Sequence, residues 1–276
     1  MTFSIVARSA DGGSWGVAVA SKFLAVGAAV PAAAAGVGAI ATQAYANTSY
    51  KRLGLAALAE GLTAEHTLSR LLDGDDGRDD RQVGVVDAHG TGATFTGSAC
   101  YSWAGGRAGA GYAIQGNILT GPEVVEAMEA AWLASDHSAP LAARLLAALT
   151  AGDAAGGDSR GRQSAALLVV RAAAGYGAFD DVAVDLRVDD HAQPVIELGR
   201  LLDLNDLYLT ASTDAERVPV TPELRDELEQ RAVALGHRDF PAWVGSENYE
   251  MRVADDVTWI DVRVLAIIRG TNAIGS

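Results

Sequence analysis

The chain has 276 residues, 49% of them hydrophobic and 20% charged, which is enough apolar material for a large buried core and too much for wholesale disorder. A formal net charge of −14 argues against nucleic acid and anionic membrane surfaces as partners, because both demand clustered cations. Cys100 is the single cysteine, so an intramolecular disulfide and a cysteine zinc cage are excluded and a reducing, cytoplasmic setting is expected.

In chain order, residues 3–8 and 15–20 read as two strands joined by the turn Asp11-Gly12-Gly13-Ser14. The uncharged run 23–50 is long enough to span a membrane, but Ala, Gly, Pro31 and the polar residues Thr42, Gln43, Asn47, Thr48 and Ser49 deprive it of insertion-favouring content. No membrane helix is expected. Residues 36–42 read as a third strand. Asn47, Thr48 or Ser49 then caps a helix to Glu60, and Thr63 caps a second to about Leu72. Strands follow at 82–87, 92–98 and 109–114. Gly121-Pro122 opens a helix to Leu133, and Ser138 caps its partner through Leu149. The glycine-rich loop 152–161 leads to strands 163–171 and 182–188, and a helix covers 194–209.

Strands and helices come in blocks, which indicates an α+β protein with antiparallel sheets rather than a parallel α/β fold. Runs such as Val17-Ala18-Val19-Ala20 and Leu167-Leu168-Val169-Val170 are apolar on both faces, so each sheet is covered on both sides. The expected architecture is a four-layer αββα sandwich over residues 1–192, a helical linker over 193–215, and a small, mostly helical C-terminal domain over 216–276. Thr221-Pro222-Glu223 starts the first helix of that domain, and Trp243 and Trp259 anchor its core.

Two motif matches fail on context. Gly157-Asp158-Ser159-Arg160-Gly161 fits G-x-S-x-G, but a nucleophile elbow follows a strand and opens a helix, and here a strand comes after the loop. Gly36-Val37-Gly38-Ala39-Ile40-Ala41 mimics a dinucleotide fingerprint without the helix and acidic residue such a site requires. Asp189-Asp190-His191 cannot turn three adjacent side chains toward one ion from a strand, so no metal and no cofactor are expected. Cys100 reads as a small core residue on a strand.

The terminus is more informative. Thr2 follows Met1 directly and a strand begins at once. With Met1 removed, Thr2 carries a hydroxyl nucleophile together with an α-amine of reference pKa about 7.7–8.0, whose neutral fraction can accept the hydroxyl proton. Ser4 shares a strand face with Thr2 because strand side chains alternate.

The segments Thr2-Phe3-Ser4-Ile5-Val6-Ala7-Arg8, Trp15-Gly16-Val17-Ala18-Val19-Ala20-Ser21-Lys22-Phe23, Ala41-Thr42-Gln43-Ala44, Gln115-Gly116-Asn117-Ile118-Leu119 and Gly156-Gly157-Asp158-Ser159-Arg160-Gly161 together resemble the bacterial and archaeal family called domain of unknown function 1028. That family is similar to N-terminal nucleophile hydrolases, and the tail around Trp243-Val244-Gly245-Ser246 resembles a peptidoglycan-binding-like domain that often follows it. The resemblance implies amide hydrolysis of a small-molecule substrate. Thr2 would be the nucleophile, Lys22 would bias its amine and stabilise developing charge, and Asn117 would donate to the oxyanion. Ser4, Thr42, Gln43, Asp158, Arg160 and Ser164 are the expected substrate-binding residues, Arg160 as a bidentate clamp or as a loop salt bridge to Asp158. A homo-oligomer, most simply a dimer, is expected. The competing expectation is a non-catalytic scaffold of the same fold whose tail mediates interaction.

Overall fold

The computed structural model describes residues 2–270. The opening hairpin β1 (Thr2–Arg8) and β2 (Ser14–Ser21) is followed by the short helix α1 (Val26–Ala29) and a second hairpin, β3 (Pro31–Ala34) and β4 (Gly38–Ala44). Helices α2 (Ser49–Ala59) and α3 (Ala64–Asp73) come next, then β5 (Arg81–Asp87), β6 (Gly92–Thr96), β7 (Gly105–Gly109) and β8 (Tyr112–Asn117). A second helix pair, α4 (Glu123–Ala134) and α5 (Leu141–Ala154), precedes β9 (Ser164–Arg171), β10 (Val182–Val188) and α6 (Pro194–Leu209). The last elements among the described residues are β11 (Arg217–Pro219), α7 (Pro222–Ala234), α8 (Phe240–Ser246), β12 (Trp259–Asp261) and α9 (Val262–Ile268).

Every strand pairing is antiparallel: a six-stranded sheet ordered β10-β9-β2-β1-β8-β7, a four-stranded sheet ordered β3-β4-β5-β6, and the small pair β11-β12. The protein is thus a mixed α+β molecule. Period-two alternation sorts the side chains of the large sheet. Phe3, Ile5, Ala18, Tyr112 and Ile114 pack with Val125, Met128, Leu145 and Leu149 of α4 and α5. The intervening residues Val6, Val17, Val19 and Ala113 pack with Ala39, Ala41 and Val86 of the four-stranded sheet. On that sheet the opposite set, Ile40, Val83 and Val85, packs with Tyr50, Leu58, Leu68 and Leu71 of α2 and α3. The central strands β1, β2, β4, β5 and β8 are therefore buried on both faces because both are covered.

The chain divides into two compact units, residues up to Leu202 and residues from Asp203. The division falls inside α6, where Val195 and Leu198 belong to the first core and Leu207 to the second. The stretch 193–215, expected as a helical linker, contains α6. In the second unit Phe240, Trp243, Tyr249, Ile260 and Leu265 form a separate core. Asp239 caps α8 through the Ala242 N–H, and Thr221 caps α7 through the Leu224 N–H. Among the described residues no helix is long and apolar enough to cross a membrane.

Several boundaries differ from the sequence reading. The expected third strand at 36–42 is β4, shifted toward Ala44 and preceded by α1 and β3, which the Ala/Gly run did not signal. The expected strand 109–114 is β8 at Tyr112–Asn117, because Ala110-Gly111 forms the turn from β7, with Gly111 at φ +83°. Cys100 lies beyond the end of β6, in a bend, and is only partly buried.

Candidate functional site

The same alternation that makes the apolar interface between the two sheets builds a polar region at one end of it. Counting in steps of two from Val6 reaches Ser4 and Thr2; from Ala113, Gln115 and Asn117; from Ala41, Gln43; from Val86, Gln82; and from Val19, Ser21. All seven are buried. Strand register completes the arrangement, with Thr2 opposite Asn117, Ser4 opposite Gln115 and Gln43 opposite Gln82.

The Thr2 and Ser21 hydroxyls lie 3.1 Å apart. The Thr2 carbonyl accepts from Gln43 Nε2 at 3.1 Å, and the same nitrogen donates to Gln82 Oε1 at 2.8 Å. Asn117 Nδ2 donates to that Gln82 oxygen, also at 2.8 Å. Ser4 Oγ donates to Gln43 Oε1 and accepts from Gln115 Nε2, both at 2.6 Å. Gly84 makes room for this cluster, since a Cβ there would collide with the Gln115 carboxamide. Buried amides and hydroxyls are costly unless paired, and these satisfy one another without a charge.

The loop after α5 closes on the same end of the sheet. Leu119 and Asp158 form an isolated bridge, Ser159 N donates to the Ile118 carbonyl at 3.3 Å, and Thr120 N donates to the Gly157 carbonyl at 3.2 Å. The Asp158 carboxylate accepts from Lys22 N at 2.7 Å and from Arg160 N at 2.9 Å, which ties the loop to the end of β2. The Asp158 side chain is buried while the Arg160 guanidinium, 3.4 Å away, is half exposed. Arg160 thus pairs with Asp158 within the loop.

Three expected site residues go elsewhere. Lys22 is one step past Ser21 and points the other way; its exposed side chain donates to the Arg162 carbonyl at 3.3 Å. Thr42 falls out of phase with Gln43, and its hydroxyl donates to the Asn47 carbonyl at 3.3 Å. Ser164 donates to the Phe23 carbonyl at 2.5 Å and accepts from Val26 N at 3.1 Å, so it fastens the turn into α1. Conversely, Ser21, Gln82 and Gln115 belong to the cluster and were not singled out. The available signal is the polar glutamine side chain itself, placed in strands otherwise built mostly from apolar residues and therefore in need of a partner when buried.

The rejected motifs stay apart from this chemistry. Gly157–Gly161 follows helix α5 and precedes β9, the reverse of an elbow. His191 Nδ1 accepts from Gln193 N at 3.1 Å. Among the described residues no group of three or more His, Cys, Asp or Glu is placed to hold a metal ion. Burial pushes the Cys100 thiol up, away from the thiolate a nucleophile needs.

Fold and site together define an α+β protein with antiparallel sheets and a buried, neutral polar cluster at one end of the sheet interface. The model of the family of unknown function DUF1028 matches residues 2–198, and the chain belongs to that family. It is similar to a solved structure, protein SPO2555 from Silicibacter pomeroyi, which carries the same family designation: 32% identity, TM-score 0.67, covering 77% of this chain and 90% of that one. No curated protein matches the chain.

Proposed function

We propose that the chain is an amide hydrolase of the N-terminal nucleophile class, acting on a small-molecule substrate through Thr2 once the Met1–Thr2 bond is cut. The observation that carries this reading is the position of Thr2: first residue of a central strand, on the sheet-to-sheet face, with its hydroxyl beside Ser21 and its register partner Asn117. Thr2 Oγ1 attacks the amide carbonyl while the neutral α-amine takes the hydroxyl proton and delivers it to the departing amine. Water then attacks the resulting ester as the same α-amine takes its proton, and the α-ammonium returns that proton to Thr2 Oγ1 as the acyl C–Oγ1 bond breaks, releasing the acid and the free hydroxyl. One Asn117 Nδ2 hydrogen is engaged by Gln82, and the second is the donor for the oxyanion.

Lys22 is left out of this machinery because its ammonium is held at the Arg162 carbonyl. Asp158 and Arg160, in the loop that meets Ile118 and Leu119, and Ser4 and Gln43, on the strands beside Thr2, are the substrate-binding residues of this reading. The chemistry needs no cofactor. On this reading the packing of α4 and α5, the two sheets, and α2 and α3 is the four-layer αββα sandwich of that hydrolase class, and the unit from Asp203 is the peptidoglycan-binding-like module, used for interaction or dimerisation.

Turnover of a panel of small amides by protein whose first residue is verified as Thr2 tests the reading. Thr2→Ser retains hydrolysis and Thr2→Ala abolishes it with thermal unfolding unchanged. The alternative, a non-catalytic scaffold of the same fold, draws support from the mutual saturation of Gln43, Gln82 and Ser4. Absence of turnover and of Thr2-dependent labelling in such protein establishes it instead.

A further inference from the structure

We infer that Gln82 is the positioning residue of the Thr2 site: its side-chain oxygen collects the amides of Gln43 and Asn117 and thereby fixes which atoms they turn toward Thr2. The inference rests on the hydrolase reading for its catalytic consequence, but its geometric content stands apart.

The orientation of a buried amide is settled by the groups around it. Gln82 Nε2 lies 2.7 Å from the Gly116 carbonyl, 3.2 Å from the Gly105 carbonyl and 2.9 Å from Thr96 Oγ1. Gly105 and Gly116 are register partners on β7 and β8, so two backbone carbonyls converge on one point. Carbonyls only accept, so nitrogen must occupy that end. The other end of the amide is then oxygen, and any amide touching it must present N–H. Gln43 and Asn117 both touch it, each at 2.8 Å.

Two consequences reach the nucleophile. Gln43 Nε2 keeps one hydrogen for the Thr2 carbonyl, which holds the peptide plane that follows the reacting residue. A freed first residue has no preceding peptide to anchor it, so this carbonyl bond fixes its backbone on that side. Asn117 meanwhile cannot flip, because a flip would set its oxygen against the Gln82 oxygen, and its remaining N–H is held in one direction. Gln82 itself is fully buried and lies on the other sheet. It acts only through these two neighbours.

The test is the rate of covalent labelling of Thr2 by an amide-directed β-lactone in Gln82→Met and Gln82→Glu, with side-chain amide NMR of the same full-length proteins. Gln82→Met lowers the labelling rate on the order of 100-fold, the scale of a displacement near 1 Å at a reacting group. Gln82→Glu places an acceptor against the Gly105 and Gly116 carbonyls when ionised and restores a donor when protonated. Burial raises the pKa of such a carboxyl. The ratio of its labelling rate to that of wild type therefore climbs as pH falls. A pH-independent ratio, or a Gln82→Met rate within twofold of wild type, overturns the inference. In the NMR arm the Gln43 and Asn117 amide protons are slow to exchange in wild type and fast in folded Gln82→Met; unchanged exchange overturns it too. Failure of wild type to label at Thr2 with the NMR result as expected removes the hydrolase reading and leaves the geometric role intact.

Discussion

Both units bury polar groups, and two of these clusters, one in each unit, are built from opposite materials. Around Thr2 the groups are neutral: three glutamines, an asparagine and hydroxyls, each passing hydrogen bonds in one direction. In the unit from Asp203 the cluster is ionic. Arg252, 1% exposed, donates to Asp261 Oδ2 at 3.0 Å, to the Asp206 carbonyl at 2.6 Å and to the Leu207 carbonyl at 3.1 Å, while Ser212 donates to Asp261 at 2.6 Å. The ionic cluster locks segments in place, because a buried charge stripped of its partner is expensive. The neutral one orients atoms at modest cost and leaves the acid–base chemistry to whatever sits at its edge.

The strongest break of this contrast is Arg252→Met. It strands the buried Asp261 carboxylate and is expected to destabilise its unit by about 3–5 kcal/mol, read as faster hydrogen exchange across α7–α9 with β1 and β8 unaffected. Acid separates the clusters in the same way. Burial pushes the Asp261 carboxyl up, yet hydrogen bonds from Ser212 and the Arg263 backbone and the Arg252 charge outweigh it and hold the carboxyl below its ordinary value. Its folded pKa is lower than the unfolded one, so its contribution is complete above about pH 3.9 and is lost as pH falls through the folded value. Exchange in α9 therefore rises in that acidic window, whereas the side-chain amides around Thr2, which contain no titrating group, keep their protection at the same pH.

Gln43→Leu is the matched break of the neutral cluster. It removes the Gln43 donor to the Thr2 carbonyl and the Gln43 acceptor of the Ser4 hydroxyl, and costs about 1–3 kcal/mol in denaturant melts, less than Arg252→Met. Smallest is Lys22→Ala. The side chain is exposed and holds a single carbonyl, so unfolding shifts by less than about 0.5 kcal/mol and Thr2 labelling is unchanged. A large loss of labelling would return Lys22 to the site.

The opening hairpin, both helix pairs and β9–β10 were legible because their apolar spacing and caps are local signals. The α1–β3 segment was not, since Ala28, Ala29 and Ala32–Ala35 carry little periodicity and its shape is set by packing on β4 and β9. β7 escaped for a related reason: Gly105, Gly106 and Gly109 give no strand signal, and pairing with β8 alone defines it. At the candidate site, Thr2 stands out by its place after Met1, Ser4 by strand parity with it, and Gln43 and Asn117 through family likeness. Gln82 and Gln115 do not stand out, because their importance comes from a register between two sheets far apart in sequence. Thr42 sits one residue out of phase with Gln43 in β4, which in a strand reverses the face, and Lys22 follows the last residue of β2.

The most direct test of the central claim is tandem mass mapping of the adduct left by an electrophilic amide or β-lactone probe on protein isolated from its own host. The account predicts one adduct, on Thr2, in a chain whose first residue is Thr2. An adduct on Ser159 instead, or a Thr2 still joined to Met1 in active material, would contradict it.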